Sequence, residues 1–296
     1  MNVVNTEFFS CSTRCVADLY LPECRQPAPV IVMAHGFAAE RSSRLPVFAK
    51  RFCQEGFAVF LFDYRTFGDS EGEPRQCVSP KRHLQDWRAA IAHIKRQETI
   101  DATRLILWGT SFSGGHVVKL ASENHNVATI IAQIPFVSGW NLIEKTPLSV
   151  SVRMTLSGLV DVVKRAIGAE PNYYPVVGYP GEPAVMNTPE SYDGYMQLID
   201  KEGPWVNRVP ASILLEVPFY YPNKSAGKVK CPTLIIGAKH DSLIPIEAVK
   251  KMAGCIPNAE FVELNSNHFE PYVEPMFEQN IRMQIDFLKK HFVSES

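Results

Sequence analysis

The stretch LILWGTSFSGGHV, Leu105 to Val117, decides how this 296-residue chain is read. It begins as a continuous apolar run, turns through Gly-Thr-Ser-Phe-Ser-Gly-Gly, and goes on with helical character. Strand, sharp turn and helix are the context in which a serine hydroxyl is held exposed at a strand end. Gly109 suits the tight turn. Gly114 and Gly115 stand at a helix start, where each costs about 1 kcal/mol relative to Ala. A helix pressed closely on a neighbouring strand accounts for them. Ser113 occupies the place where a second glycine completes the GxSxG pattern. It is small enough to serve nearly as well, so it puts the crossing distance in question rather than the turn. Taken alone, the motif leaves Ser111 as either a nucleophile or a small polar residue in a turn.

The flanking sequence carries the same alternation. VVNTEFF and RCVADLYLP read as two strands with a turn between them, and PVIVMAHG as a strand ending in a glycine turn. RLPVFAKRFCQEG places Leu45, Phe48, Ala49 and Phe52 at helical spacing, with Gly56 as the stop. FAVFLFDY is a buried strand, and SPKRHLQDWRAAIAHIKRQ an amphipathic helix with Ser79 before Pro80 at its start. ATIIAQIP, PTLIIGA and AEFVELN are further apolar strands. Continuous apolar strands are buried on both faces, and strands alternating with helices give a mainly parallel, doubly covered α/β sheet. The opening pair is expected as an antiparallel edge.

The alternation stops between about Phe136 and Pro222. TLSGLVDVVKRAIG predicts a helix there. PNYYPVVGYPGEPAVMNTPESYDGY has neither period, and its aromatic content argues against disorder. The expected organisation is a core from 1–135 and 223–296, with 136–222 inserted as a cap over the strand ends. A purely structural insertion is the alternative.

Lys plus Arg number 30 and Asp plus Glu 31, a net charge of −1, which gives no electrostatic reason to expect nucleic acid. The apolar runs are too short to span a bilayer, and MNVVNTEFF has no signal-peptide pattern. The seven cysteines include no CxxC and are expected as free thiols in a cytoplasmic, reducing compartment. No zinc pattern, P-loop or GxGxxG occurs, so neither metal nor cofactor is expected.

A serine hydroxyl needs a base, and the base needs an orienting carboxylate. Of eight histidines, His83, His93, His116, His125 and His291 lie in or beside helical stretches and read as surface or satisfied helix residues. His35 belongs to AHGF and is expected to order that loop. His240 precedes Asp241. His268, in LNSNHFEPY, follows the last strand, where ligand sites of open α/β sheets gather. Asp241 follows the strand in PTLIIGAKHDSLIP. Its alternative role is a helix N-cap, and Asp63 is the rival acid. Ser111, Asp241 and His268 thus form the candidate catalytic set. A developing oxyanion needs two donors: the backbone N–H groups of Phe112, at a helix start, and of Phe37. FDYRTFGDSEGEP, Phe62 to Pro74, reads as a loop packed beneath the site rather than a second catalytic group.

On AHGF, FDYRTFGDSEG, GTSFSGG, KHDSLIP and NSNHFEPY the chain resembles the α/β-hydrolase superfamily over nearly its whole length. AVMNTPESYDGY and NRVPASILLEVPFYYP are similar to bacterial hydrolases related to fungal polyketide transferases. The resemblance implies an eight-stranded sheet, a helical cap between strands six and seven, no cofactor, and acyl transfer to water or another acceptor. The expected function is a serine hydrolase acting on a small-molecule carboxylic ester or thioester through an acyl-enzyme. The alternatives are an acyltransferase to an alcohol or amine, an amidase or peptidase, and a non-catalytic small-molecule receptor. Phe136, Trp140, Tyr173, Tyr174, Tyr179 and Trp205 are candidates for lining an apolar acyl pocket; each could instead fill the insert's own core. A homodimer is left open.

Overall fold

The two N-terminal runs become β1 (Asn2–Ser10) and β2 (Thr13–Leu21), an antiparallel pair joined by a tight turn through Cys11 and Ser12. The computed structural model describes residues 1–23, 27–123, 126–140 and 147–292. β3 (Ala28–Ala34), β4 (Ala58–Phe62), β5 (Ile100–Thr110), β6 (Thr129–Gln133), β9 (Thr233–Ala238) and β10 (Ala259–Leu264) complete one sheet. Its order is β1-β2-β4-β3-β5-β6-β9-β10, antiparallel in the β1–β2 and β2–β4 pairs and parallel elsewhere. The expected eight strands and antiparallel edge are both present. β7 (Tyr173–Tyr174) and β8 (Val209–Pro210) form a separate ribbon.

Register explains why the strands are apolar throughout. Val32 aligns with Phe60 and Leu107, and Ala34 with Phe62 and Gly109, so these residues share a face. Phe60 meets His93 and Phe62 meets Trp87, both on α2 (Pro80–Ile94), while Gly109 lies against α3 (Phe112–Ala121). Met33, Leu61 and Trp108 align on the opposite face. There the Trp108 ring meets Phe48 of α1 (Leu45–Gln54), which in turn meets Phe277 of α8 (Met276–Phe292). Helices therefore cover both faces. α7 (Ile246–Gly254) connects β9 to β10.

Between β6 and β9 the chain builds α4 (Leu148–Ala166), the β7–β8 ribbon, α5 (Ser191–Met196), α6 (Ile213–Glu216) and short 3-10 turns. The spacing predicts a helix from Thr155; α4 begins earlier, directly after Pro147, whose fixed φ suits a helix start. The buried Asp161 carboxylate of α4 accepts the backbone N–H groups of Asn172 at 2.9 Å and Ser212 at 3.0 Å. That ties the helix to the start of β7 and to the segment before α6. Ser79 does not cap α2: its hydroxyl donates to Glu216 of α6 at 2.7 Å, joining core to insert. Among the described residues no helix is long and apolar enough to cross a membrane. Among the described residues Cys11, Cys15, Cys77, Cys231 and Cys255 are free thiols, and Cys24 lies outside them.

Candidate active site

Three loops at the carboxyl ends of parallel strands meet at one point. Ser111 follows β5, Asp241 follows β9 and His268 follows β10. His268 Nε2 lies 3.1 Å from Ser111 Oγ, and His268 Nδ1 lies 2.6 Å from Asp241 Oδ2. The ring of His268 is 3% exposed, while Ser111 is half-buried and open to a pocket. Asp241 is not a helix cap, because Pro245 holds that position on α7. Its Oδ1 accepts the backbone N–H groups of Leu243 and Ile244, both at 2.8 Å, which leaves Oδ2 for the imidazole. Asp63, the rival acid, is claimed by the Arg41 guanidinium and by the Arg41 backbone N–H at 2.7 Å.

Local structure holds Ser111 in place. Its backbone sits at φ 52° and ψ −118°, a conformation that costs a non-glycine residue strain and persists only where neighbours enforce it. Its N–H donates to Gln133 at 2.9 Å, and its carbonyl accepts from Phe136 at 2.8 Å, fixing the turn to the end of β6. A Cβ on Gly109 would lie 2.2 Å from the Ser113 carbonyl oxygen, and one on Gly114 would lie 2.8 Å from Pro135 Cα. Both positions demand glycine: Gly114 for the expected close approach, and Gly109, expected to serve the turn, for its contact with α3. Ser113 is more than a tolerated replacement: its hydroxyl bonds the Tyr64 hydroxyl, which also accepts Trp87 Nε1–H at 2.8 Å.

Phe112 is the first residue of α3, so its N–H has no intrahelical partner. Phe37 follows β3, and its ring meets that of Phe112 edge to face at 5.5 Å. A Cβ on Gly36 would approach Ser111 Cβ to 3.2 Å. His35 orders this loop as expected, its Nδ1–H donating to Gly36 at 3.1 Å. Burial drives its pKa down to about 4, so the ring is neutral.

Two other histidines depart from the surface reading. His83 and His116 are completely buried behind Phe112. His116 Nδ1 lies 2.6 Å from the Tyr220 hydroxyl, and His116 Nε2 lies 3.3 Å from His83 Nδ1. Burial lowers the pKa of both, His116 to about 3. His93 is half-buried against Phe60, His291 lies beside Glu260, and His125 is outside the described residues. His240 pairs with Asn265 at 2.9 Å.

The insert reaches the site through α5. Glu190, just before it, accepts the Ser242 hydroxyl and its N–H, next to Asp241. Gly194 packs on the Phe269 ring, next to His268. The Tyr195 hydroxyl donates to the Phe37 carbonyl at 2.8 Å, and Trp205 Nε1–H donates to the Ala38 carbonyl at 2.8 Å. One short helix thus touches the chain beside Asp241, His268 and Phe37. Beneath, Gln133 gathers Thr110, Asn280 and Gln284 into a buried amide cluster. Thr110 also bonds the Tyr272 hydroxyl.

The pocket at Ser111 is lined from the core by Phe37, Leu45, Phe269 and Tyr272 among others, and from the insert by Met186, Tyr195 and Leu198. None of the six aromatics picked from the sequence is in its wall. Phe136 packs between Phe112 and Tyr220. Tyr174 is buried, and the Tyr173 ring lies under Arg208. Tyr179 pairs with Tyr192 on the surface, and Trp140 is 56% exposed. Trp205 lies tilted against the Tyr195 ring. Phe136, Tyr174 and Trp205 are taken up by packing instead, and Trp140 and Tyr179 face outward. Tyr195 and Met186 were legible only in that they fall within AVMNTPESYDGY.

A family model described as serine aminopeptidase, S33, matches residues 25–172. The quorum-quenching protein AidA of Acinetobacter baumannii is 39% identical over 288 residues, covering 97% of this chain and 94% of that protein. Polyketide transferase af380 of Aspergillus fumigatus is 28% identical, covering 98% of this chain and 99% of its own. The crystal structure of the α/β hydrolase GrgF from Penicillium superposes with a TM-score of 0.85 at 21% identity, covering 99% of this chain and 100% of that one. The chain belongs to the S33 serine aminopeptidase family of α/β hydrolases.

Proposed function

We propose that this protein is a serine hydrolase that cleaves a small carboxylic ester or thioester through an acyl-enzyme. The observation that carries the reading is the continuous Asp241–His268–Ser111 hydrogen-bond line at 2.6 and 3.1 Å. A carboxylate only accepts, so Nδ1 of His268 holds the proton and Nε2 offers its lone pair to the Ser111 O–H. Ser111 Oγ attacks the carbonyl carbon as His268 takes its proton, and Asp241 stabilises the imidazolium. The N–H groups of Phe37 and Phe112 receive the oxyanion, a donor of this kind lowering the barrier by roughly 3–4 kcal/mol. Collapse expels the alcohol or thiol, which takes the proton from His268. Water then repeats the sequence and releases the acid.

Residues 136–222 act as a cap on a core of 1–135 and 223–296, a division supported by the contacts of α5. The space left beside Ser111 is small, about 30 Å³, and Met186, Tyr195 and Leu198 bound it from the insert. An aminopeptidase must hold a substrate ammonium, and no carboxylate lines this pocket among the described residues. That favours esters over peptides. The likeness to a polyketide transferase supports a second reading, in which an alcohol or amine replaces water as acceptor.

Turnover of p-nitrophenyl esters from acetyl to decanoyl is the test. Short esters are expected to react fastest, and Ser111→Ala to lower kcat/KM at least about a thousandfold. A fluorophosphonate should label the native protein and not Ser111→Ala; labelling that persists in the variant overturns the assignment. Added alcohol separates the two readings, since an ester product by mass marks a transferase.

A further inference from the structure

The outer face of α4 is bare and apolar. Leu148 is 80% exposed, Val152 50%, Leu156 57%, Leu159 50% and Val163 60%, with Ile167 at 75% just past the helix end. At 3.6 residues per turn these six lie within an arc of about 100°. The helix cannot roll to hide them, because its other side is anchored. Gly158 packs against Leu215 and Ala211, and the Asp161 carboxylate holds the N–H groups of Asn172 and Ser212. Contiguous apolar surface of this kind marks an interaction site.

The spacing says what covers it. Leu148 and Ile167, Val152 and Val163, and Leu156 and Leu159 form three pairs with one midpoint, between Ser157 and Gly158. A two-fold axis through that midpoint lays a second helix antiparallel on the first. Leu148 then meets the partner subunit's Ile167, Val152 meets the partner subunit's Val163, and Leu156 meets the partner subunit's Leu159. The run 152, 156, 159, 163 steps by four, three and four, the seam that lets two helices interdigitate. The flanking cations do not oppose it. Arg153 falls opposite the partner subunit's Val162, and Lys164 opposite the partner subunit's Ser151. A lipid surface asks only for an apolar face and needs no such mirror spacing; an isologous dimer does.

We propose that α4 is a self-complementary interface through which two copies of this chain pair antiparallel. This does not depend on the chemistry at Ser111. A single helix pair about 28 Å long makes a small interface. The dimer should therefore dissociate within the micromolar range.

Sedimentation equilibrium of the full chain from about 1 to about 100 µM tests this. The wild type should shift from monomer to dimer. Val152→Lys and Val163→Glu should each stay monomeric, with unchanged circular dichroism. The double variant should regain the dimer, because the antiparallel register sets Lys against Glu on both sides. Val152→Lys with Val163→Lys should not. A wild type that stays monomeric throughout overturns the proposal. So does a folded Lys/Glu double variant that fails to pair, or a monomer that cosediments with anionic phosphatidylglycerol vesicles.

Discussion

Ser113 is the residue at which the motif departs from GxSxG, and the departure has a cause. Its hydroxyl bonds Tyr64, whose oxygen also accepts Trp87, and all three side chains are fully buried. Ser113→Gly would complete the motif yet strip Tyr64 of a partner. A buried hydrogen bond contributes about 1 kcal/mol, and glycine in a helix costs a similar amount. The expected loss is about 2 kcal/mol, read as a Tm lower by roughly 5 °C with ester turnover largely kept. An unchanged Tm would mean that the Tyr64 contact contributes nothing. Gly109 and Gly114 are different in kind. Their Cβ positions are filled by backbone, so the glycines flanking Ser111 were readable from the motif.

Among the elements, α5 decides more than its six residues suggest. It carries Tyr195, whose hydroxyl holds the carbonyl of Phe37, so the residue whose N–H is a candidate oxyanion donor is steadied from the insert. Tyr195→Phe keeps the ring and its contact with Trp205 but deletes this bond. The expected result is a kcat about tenfold lower with KM little changed, since a misplaced donor affects the transition state more than substrate binding. A change confined to Tm would make the contact structural only. Periodicity could not find this helix. It is short, irregularly flanked, and defined by what it touches across the site rather than by its own pattern. The long regular elements, such as β5 and α2, were legible for the opposite reason: β5 ends in a continuous apolar run and α2 buries residues at helical spacing.

Across the whole molecule, three buried imidazoles set the response to acid. Burial lowers the pKa of His35 to about 4 and of His116 to about 3, and brings His83 well below its usual value. Unfolding lets each take up a proton near pH 6.5, so the unfolded state binds more protons below that value. Each imidazole removes up to about 1.4 kcal/mol per pH unit as pH falls from 6.5 toward its folded value. Glu40 has the opposite sign. Burial, with Asp63 adding, raises its pKa to about 7, so its contribution weakens as pH rises from 4.5 to 7. Three groups outweigh one, and Tm is expected to fall steadily as pH drops from 7 to 5. A flat profile over that range would contradict neutral burial of the three rings.

The sequence by itself determined the sheet, its double covering, and the three strand ends that carry Ser111, Asp241 and His268. Those features come from apolar runs and turn residues, which act over a few positions. Only the tertiary structure decided which carboxylate meets His268, because Asp241 and Asp63 both follow apolar strands and differ in their neighbours. It also decided which insert residues reach the pocket and that α4 turns its apolar face outward. Those outcomes depend on packing between segments far apart in the chain, and local composition does not encode them.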